Sequence, residues 1–149
     1  MALAERTVKD LLAEKKGNVE TVTTATSVTS AAQRMADRHI GMLVVVDDDG
    51  NFAGVLSDGD IVRAVGYQER KLDQVMIGEL ITTNITACHP GNNLQQVLET
   101  MKDKSIRHLP VLEGSEIVGV ISVGDMLRYL LENLDQPSKG GMFARLRGG

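Results

Sequence analysis

The sequence predicts an α/β fold of the α+β type, in which two pseudo-symmetric β-α-β-β-α repeats pack through their sheets into one module. Three observations predict it. First, Gly54-Val55-Leu56-Ser57-Asp58-Gly59-Asp60 recurs as Gly119-Val120-Ile121-Ser122-Val123-Gly124-Asp125, and the likeness runs much further. Asn18, Val28, Met35, Asp37, Ile40, Leu43 and Val45 fall at one constant spacing on Asn84, Leu94, Met101, Asp103, Ile106, Leu109 and Val111, which is the signature of a duplicated unit. Second, each copy carries an apolar stripe of helical period followed by two β-prone runs. Third, 149 residues with 42% hydrophobic and 24% charged content suit a globular chain, whereas a lone unit of roughly 60 residues buries only about 60% of its unfolded surface. Two halves sharing one interface is the expected solution.

In chain order, a leading helix is expected from about Thr7 to Lys15, packing before the first half. Val19 to Thr23 is a short β-prone stretch, and Val28, Ala31, Ala32 and Met35 then mark one helix face. Leu43-Val44-Val45-Val46 and Phe52-Ala53-Gly54-Val55-Leu56 flank the turn Asp47-Asp48-Asp49-Gly50-Asn51 and read as a buried hairpin. A second helix opens after Ser57. Asp73 to Leu80 is expected to lead the second half as Thr7 to Lys15 leads the first. There the helical stripe returns as Leu94, Val97, Leu98 and Met101, with Asn92 and Gln95 as the expected N-terminal cap. Leu109-Pro110-Val111-Leu112 and Ile117-Val118-Gly119-Val120-Ile121 form the second hairpin, and its turn is one residue shorter. A deletion is cheap in such a loop. A last helix runs from Val123 to about Leu134. The repeats thus occupy residues 7–66 and 73–134, the short charged link between them argues for direct contact, and the glycine-rich stretch 135–149 reads as a mobile tail.

Composition excludes several function classes. A net charge of −4 without a basic stripe argues against nucleic acid or an anionic membrane as the main partner. No Trp, two Tyr and two Phe leave no aromatic platform for single strands, so a flat ligand would lie between aliphatic side chains and backbone. No apolar run approaches the roughly 20 residues that span a bilayer, and the single Cys88 permits no intrachain disulfide. A cytoplasmic location is the expectation. Cys88-His89 lacks the further ligands a metal site requires, Asp47-Asp48-Asp49-Gly50 lacks the distal Glu of a calcium loop, His39 reads as a surface residue, and no nucleophile-base arrangement suggests catalysis.

The strand, Gly-hydrophobic-hydrophobic-Ser-x-Gly-Asp, helix pattern is the feature with chemical content. Ser57 and Ser122 are placed to cap the following helices, with Asp60 and Asp125 at the third helical position, favoured by the helix dipole. The same geometry holds a carboxylate ready to accept two hydrogen bonds from the cis-diol of a ribose. Capping and ligand binding are compatible readings.

The duplicated β-α-β-β-α order, the two Gly-h-h-Ser-x-Gly-Asp closures and Ile106-Arg107-His108-Leu109-Pro110-Val111 entering the second hairpin resemble a tandem pair of CBS domains, the cystathionine β-synthase type of repeat that forms a Bateman module. The resemblance covers about residues 7 to 134. It implies a regulatory module that binds AMP, ADP, ATP or NAD, with S-adenosylmethionine less favoured, in two clefts related by pseudo-twofold symmetry, without turnover and with no required cofactor. It places Asp60 and Asp125 as ribose-binding residues and Ser57 and Ser122 as the hydroxyls before them. Each cleft is completed by the other repeat: the Asp60 cleft by Asn84 to Thr86 and by Arg107 and His108, the Asp125 cleft by Asn18 to Glu20 and by Gly41 and Met42. Arg107 and His108 as phosphate donors, against Gly41 and Met42, which supply no such side-chain donors, lead to the expectation that the Asp60 cleft takes the more phosphorylated ligand and that the Asp125 cleft is weaker or favours a nucleoside-like or monophosphate ligand. Their alternative role is to solvate a strand edge. Arg63 and Arg128 are equally explained by pairing with Asp60 and Asp125 one turn away. The resemblance further implies a homodimer docked through helices and an unidentified regulated protein. A ligand-independent dimerisation or scaffold module is the alternative.

Overall fold

The computed structural model describes residues 3–15, 19–67 and 71–133; the expected tail, the middle of the link and Asn18 lie outside the described residues. Helix α1 (Val8–Glu14) starts at a reciprocal cap, with the Asp10 N–H donating to the Thr7 hydroxyl and the Thr7 N–H donating to the Asp10 carboxylate. The first repeat follows as β1 (Thr21–Thr23), α2 (Val28–Arg38), β2 (Met42–Val46), β3 (Phe52–Ser57) and α3 (Asp58–Tyr67). The second contributes α4 (Leu94–Lys104), β4 (His108–Glu113), β5 (Glu116–Ser122) and α5 (Val123–Asn133).

Both hairpins form as expected from their apolar runs and Asp/Gly turns. β2 and β3 pair antiparallel, as do β4 and β5, and each ladder shifts register by one residue near its turn. Gly50 and Gly114 take positive φ there, 84° and 65°, a conformation that glycine adopts without steric cost. Helices α2 and α4 end alike, in left-handed His39 and Ser105.

Three expectations are corrected. The cap of α4 is Asn93 with Gln96, one residue later than Asn92 with Gln95, because the Asn92 side chain instead accepts the His89 N–H at 2.7 Å. The opening strand of the second repeat shrinks to a single parallel bridge between Cys88 and Val111. Prolines account for that loss. In the first sheet Val44 N–H donates to Glu20 and Thr24 N–H donates to Val46, and the repeat puts Pro110 and Pro90 in the places of Val44 and Thr24. Neither can donate, so the first sheet has three strands, ordered β1-β2-β3, and the second has two.

The third correction concerns what closes each core. Helix α1 packs into the second repeat, where Val8 and Leu11 are buried with Leu94, Val97, Met101, Leu109 and Ile121. Val8 N–H and Lys9 N–H donate to Asn92 and Pro90, and Arg6 accepts from Leu94. The segment expected to lead the second repeat closes the first one instead, burying Val75 and Ile77 with Val22, Val28, Leu43 and Leu56. It forms two 3-10 turns, Leu72–Gln74 and Ile77–Glu79, in place of a helix. Val28 N–H to Val75, Ile77 N–H to Thr26 and the paired bonds between Val55 and Thr82 fix it in register.

Leu11→Ala should therefore destabilise the protein by about 2–5 kcal/mol, the usual range for a cavity of that size in a core. Urea unfolding measures the loss. Hydrogen exchange should locate the faster opening in α4, β4, β5 and α5, far along the chain, and a loss confined to α2 and β2 would contradict the exchanged packing.

Candidate functional site

The two Ser-x-x-Asp segments adopt the geometry that the capping pattern implies. At the end of β3, Ser57 N–H donates to Asp60 Oδ2 at 2.8 Å, the Ser57 hydroxyl donates to the same oxygen at 3.1 Å, and Asp60 N–H donates back to Ser57 Oγ at 3.3 Å. Asp60 is 9% exposed, and Arg63 pairs with its Oδ1. At the end of β5, Ser122 N–H donates to Asp125 Oδ2 at 2.9 Å and Asp125 N–H donates to Ser122 Oγ at 3.0 Å. Arg128 lies 3.4 Å from Asp125 Oδ1. Both arginines thus make the pairing expected one turn on.

A cleft of about 800 Å³ opens at Asp125, within the size range of small-molecule sites. Val19, Glu20, Gly41 and Met42 from the first repeat line it opposite Ser122 and Asp125, as expected for the completing repeat. Aliphatic surface comes from Leu12, Val19, Ile40, Met42, Val118 and Val120, the kind of slot that holds a flat ring when aromatic side chains are scarce.

The cations are distributed against expectation. Arg107 is held by the Asp58 carboxylate, 3.1 Å from each oxygen, and His108 lines the Asp125 cleft. Lys15, Arg38, His39 and Arg128 line that same cleft, so five basic side chains there face the two carboxylates Glu20 and Asp125. Arg38 lies 3.5 Å from Glu20. The Asp125 cleft thus has cationic side chains of its own, Lys15, Arg38 and Arg128. Asn84 is exposed and Thr86 half-buried, in the irregular stretch that follows the pairing of Thr82 with Val55 on β3.

Lys15 is the residue that sequence reasoning missed. Its ammonium lies 2.8 Å from Asp125 Oδ2 and 2.6 Å from the Val120 carbonyl. It reaches them because α1 packs against β5 and α5, a docking that no local pattern encodes. Burial pushes the Asp125 carboxyl up, but the Lys15 hydrogen bond and charge and the Ser122 bonds outweigh it and hold the pKa below the ordinary 3.8. The signal for His39 was equally faint: it is the left-handed C-cap of α2, a consequence of where that helix stops.

His108 joins the halves. Its ring sits so close to Gly41 that an added Cβ there would be 2.5 Å from the ring and 3.1 Å from Asp58 Oδ2, so any side chain at 41 would require the ring to move. Cys88 is buried, which raises its thiol pKa to about 11 and leaves it unreactive. Among the described residues no three His, Cys, Asp or Glu side chains gather as a metal site, and no helix is long and apolar enough to cross a membrane.

Comparison with known proteins agrees with this architecture. The CBS domain family matches residues 8–67 and 77–132, and the chain belongs to that family as a tandem pair. A CBS-domain protein from Agrobacterium tumefaciens superposes with a TM-score of 0.77 at 34% identity, over 82% of this chain and 91% of that one. A CBS domain pair solved in complex with 5′-methylthioadenosine and S-adenosyl-L-methionine superposes with a TM-score of 0.71 at 26% identity, over 83% of this chain and 98% of its own. The chain is also 28% identical over 137 residues to the Arabidopsis thaliana CBS domain-containing protein CBSCBSPB1, covering 92% of itself but 25% of that protein. It likewise spans 39% and 55% of two other curated relatives.

Burial pushes the His108 pKa below its ordinary 6.5, with the Asp58 charge pulling up and the Arg107 charge pulling down, and weaker opposed effects of Asp125 and Lys15. The unfolded chain then takes up this proton at higher pH than the folded one. Its contribution is fully present above about pH 6.5 and is lost as the pH falls through the lower folded value. Urea midpoints from about pH 7.5 down to about pH 5 should fall more steeply for wild type than for His108→Gln; parallel slopes would mean that the ring titrates freely.

Proposed function

We propose that this chain is a regulatory module that binds an adenosine-containing ligand of the AMP, ADP, ATP or NAD type in the clefts between its repeats and signals the occupancy to a partner protein. The observation that carries this reading is the Asp125 cleft. A carboxylate fixed at a helix start faces aliphatic walls and a set of cations, a combination suited to a ribose diol, a flat base and phosphate at once. The family membership and the relative bound to adenosine-derived molecules support it. S-adenosylmethionine is less suited to this chain, because its sulfonium would enter a cleft where the cations Lys15, Arg38 and Arg128 outnumber the carboxylates Glu20 and Asp125. In this reading the ligand is bound and not turned over, with the two aspartates, each held by its own serine, serving as hydrogen-bond acceptors.

The proposed output is conformational. A ligand that touches both repeats favours the relative orientation in which both sets of contacts are made. Transmission runs through a homodimer docked on helices α3 and α5. Val62 and Val65 on α3 are 69% and 56% exposed, and Leu127 and Leu131 on α5 are 57% and 50% exposed. Leu127 and Leu131 follow Val123 at intervals of one helical turn, forming an apolar stripe that a second copy would cover.

Calorimetric titration of ligand-stripped protein with AMP, ATP, NAD and S-adenosylmethionine tests the binding reading. A hydrogen-bonded charged contact contributes about 1.5–3 kcal/mol, so Asp125→Ala should weaken binding in its cleft by about ten- to a hundredfold, and Asp60→Ala should act on the other. Absence of binding at millimolar concentration would favour the ligand-independent scaffold. The dimer has its own test: Leu127→Glu combined with Val62→Glu should yield a monomer in sedimentation, and an unchanged mass would place the interface elsewhere.

A further inference from the structure

The two repeats satisfy their aspartates differently. Asp60 Oδ2 accepts the Ser57 N–H and the Ser57 hydroxyl, whereas Asp125 Oδ2 accepts the Ser122 N–H and the Lys15 ammonium. Lys15 also fills a second position of the repeat. The Val55 carbonyl accepts a backbone N–H from Thr82 at 3.0 Å, and its counterpart, the Val120 carbonyl, accepts the Lys15 ammonium at 2.6 Å. One flexible side chain thus stands where the other repeat uses a hydroxyl and a backbone bridge.

A carboxylate oxygen has about two acceptor positions, and both on Asp125 Oδ2 are taken. A ribose diol engaging both oxygens of Asp125 must therefore release Lys15. Lys15 can move: its side chain is 32% exposed and ends in the cleft itself. An unpaired ammonium in a cleft that also holds Arg38 and Arg128 would be repelled by them, so release is unfavourable unless the ligand brings a new anion.

We infer that Lys15 is an exchange cation that holds Asp125 in the empty cleft and passes to the phosphate of the incoming ligand, so that this cleft selects phosphorylated adenosines over adenosine itself. The inference rests on the adenosine reading above and adds the residue that sets its selectivity. An unphosphorylated nucleoside displaces Lys15 and offers no anion in return. A mono- or polyphosphate compensates the lost ion pair with a charge-assisted hydrogen bond of similar strength.

Titration of wild type, Lys15→Met and Lys15→Arg with adenosine, AMP and ATP tests it, counting only the binding that Asp125→Ala removes. Met keeps the length of the stem and loses only the charge, and circular dichroism confirms the fold of each variant. Wild type should prefer AMP and ATP to adenosine. Lys15→Met should reduce that preference by about ten- to a hundredfold, gaining adenosine affinity as it loses phosphate affinity, while Lys15→Arg should retain it. An unchanged preference in Lys15→Met overturns the exchange role and leaves the adenosine reading standing. If none of the three probes binds wild type in an Asp125-dependent way, the adenosine reading itself fails and takes the exchange role with it.

Discussion

Burial of Val8 and Leu11 among Leu94, Val97 and Met101, matched by burial of Val75 and Ile77 among Val22, Val28 and Leu43, is the contact on which the rest of the molecule depends. Each of these side chains contributes about 1.5–3 kcal/mol when fully buried, a large fraction of the net stability of a small domain. Each core is closed by a segment that the chain order assigns to the other half. The two folded units are therefore tied together where the chain crosses between them, after α1 and after the Thr82 bridge, and polar contacts such as Arg107 with Asp58 add to their relative placement.

That placement builds the cleft. With α1 docked against β5 and α5, Leu12 becomes wall and Lys15 reaches Asp125. The entry to β2 lies opposite, held near by the fit of the His108 ring over Gly41. The Ser-x-x-Asp device is local in origin and would form in any helix started this way. What surrounds it is not local, and the surroundings decide its chemistry. One aspartate rests on its own serine hydroxyl and a neighbouring arginine, and the other faces a lysine more than a hundred residues away in sequence, at a separation of 110.

The repeats also show how small substitutions reshape duplicated structure. Pro110 and Pro90 occupy the positions of Val44 and Thr24, and with two backbone donors gone a three-stranded sheet becomes a hairpin with one bridge. Ala87 to His89, the counterparts of Thr21 to Thr23, keep only the bridge from Cys88 to Val111 in place of that strand.

The duplicated element order, both hairpins, the helical stripes and the serine-aspartate closures were legible in the sequence, because each depends on residues within a few positions of one another: period, turn chemistry and capping are short-range physics. The proline effect was legible in principle, since a missing N–H is a property of the residue itself. The cap of α4 fell on Asn93 because Asn92 is taken by the His89 N–H, a bond that appears only once the chain has turned. The exchange of leading segments, the capture of Arg107 by Asp58 and the arrival of Lys15 at Asp125 were decided by the tertiary structure alone. Apolar surface carries no address in sequence; Val8 and Leu11 would fit either repeat by hydrophobicity, and only the shape of the assembled core, with the charges it brings together, selects one.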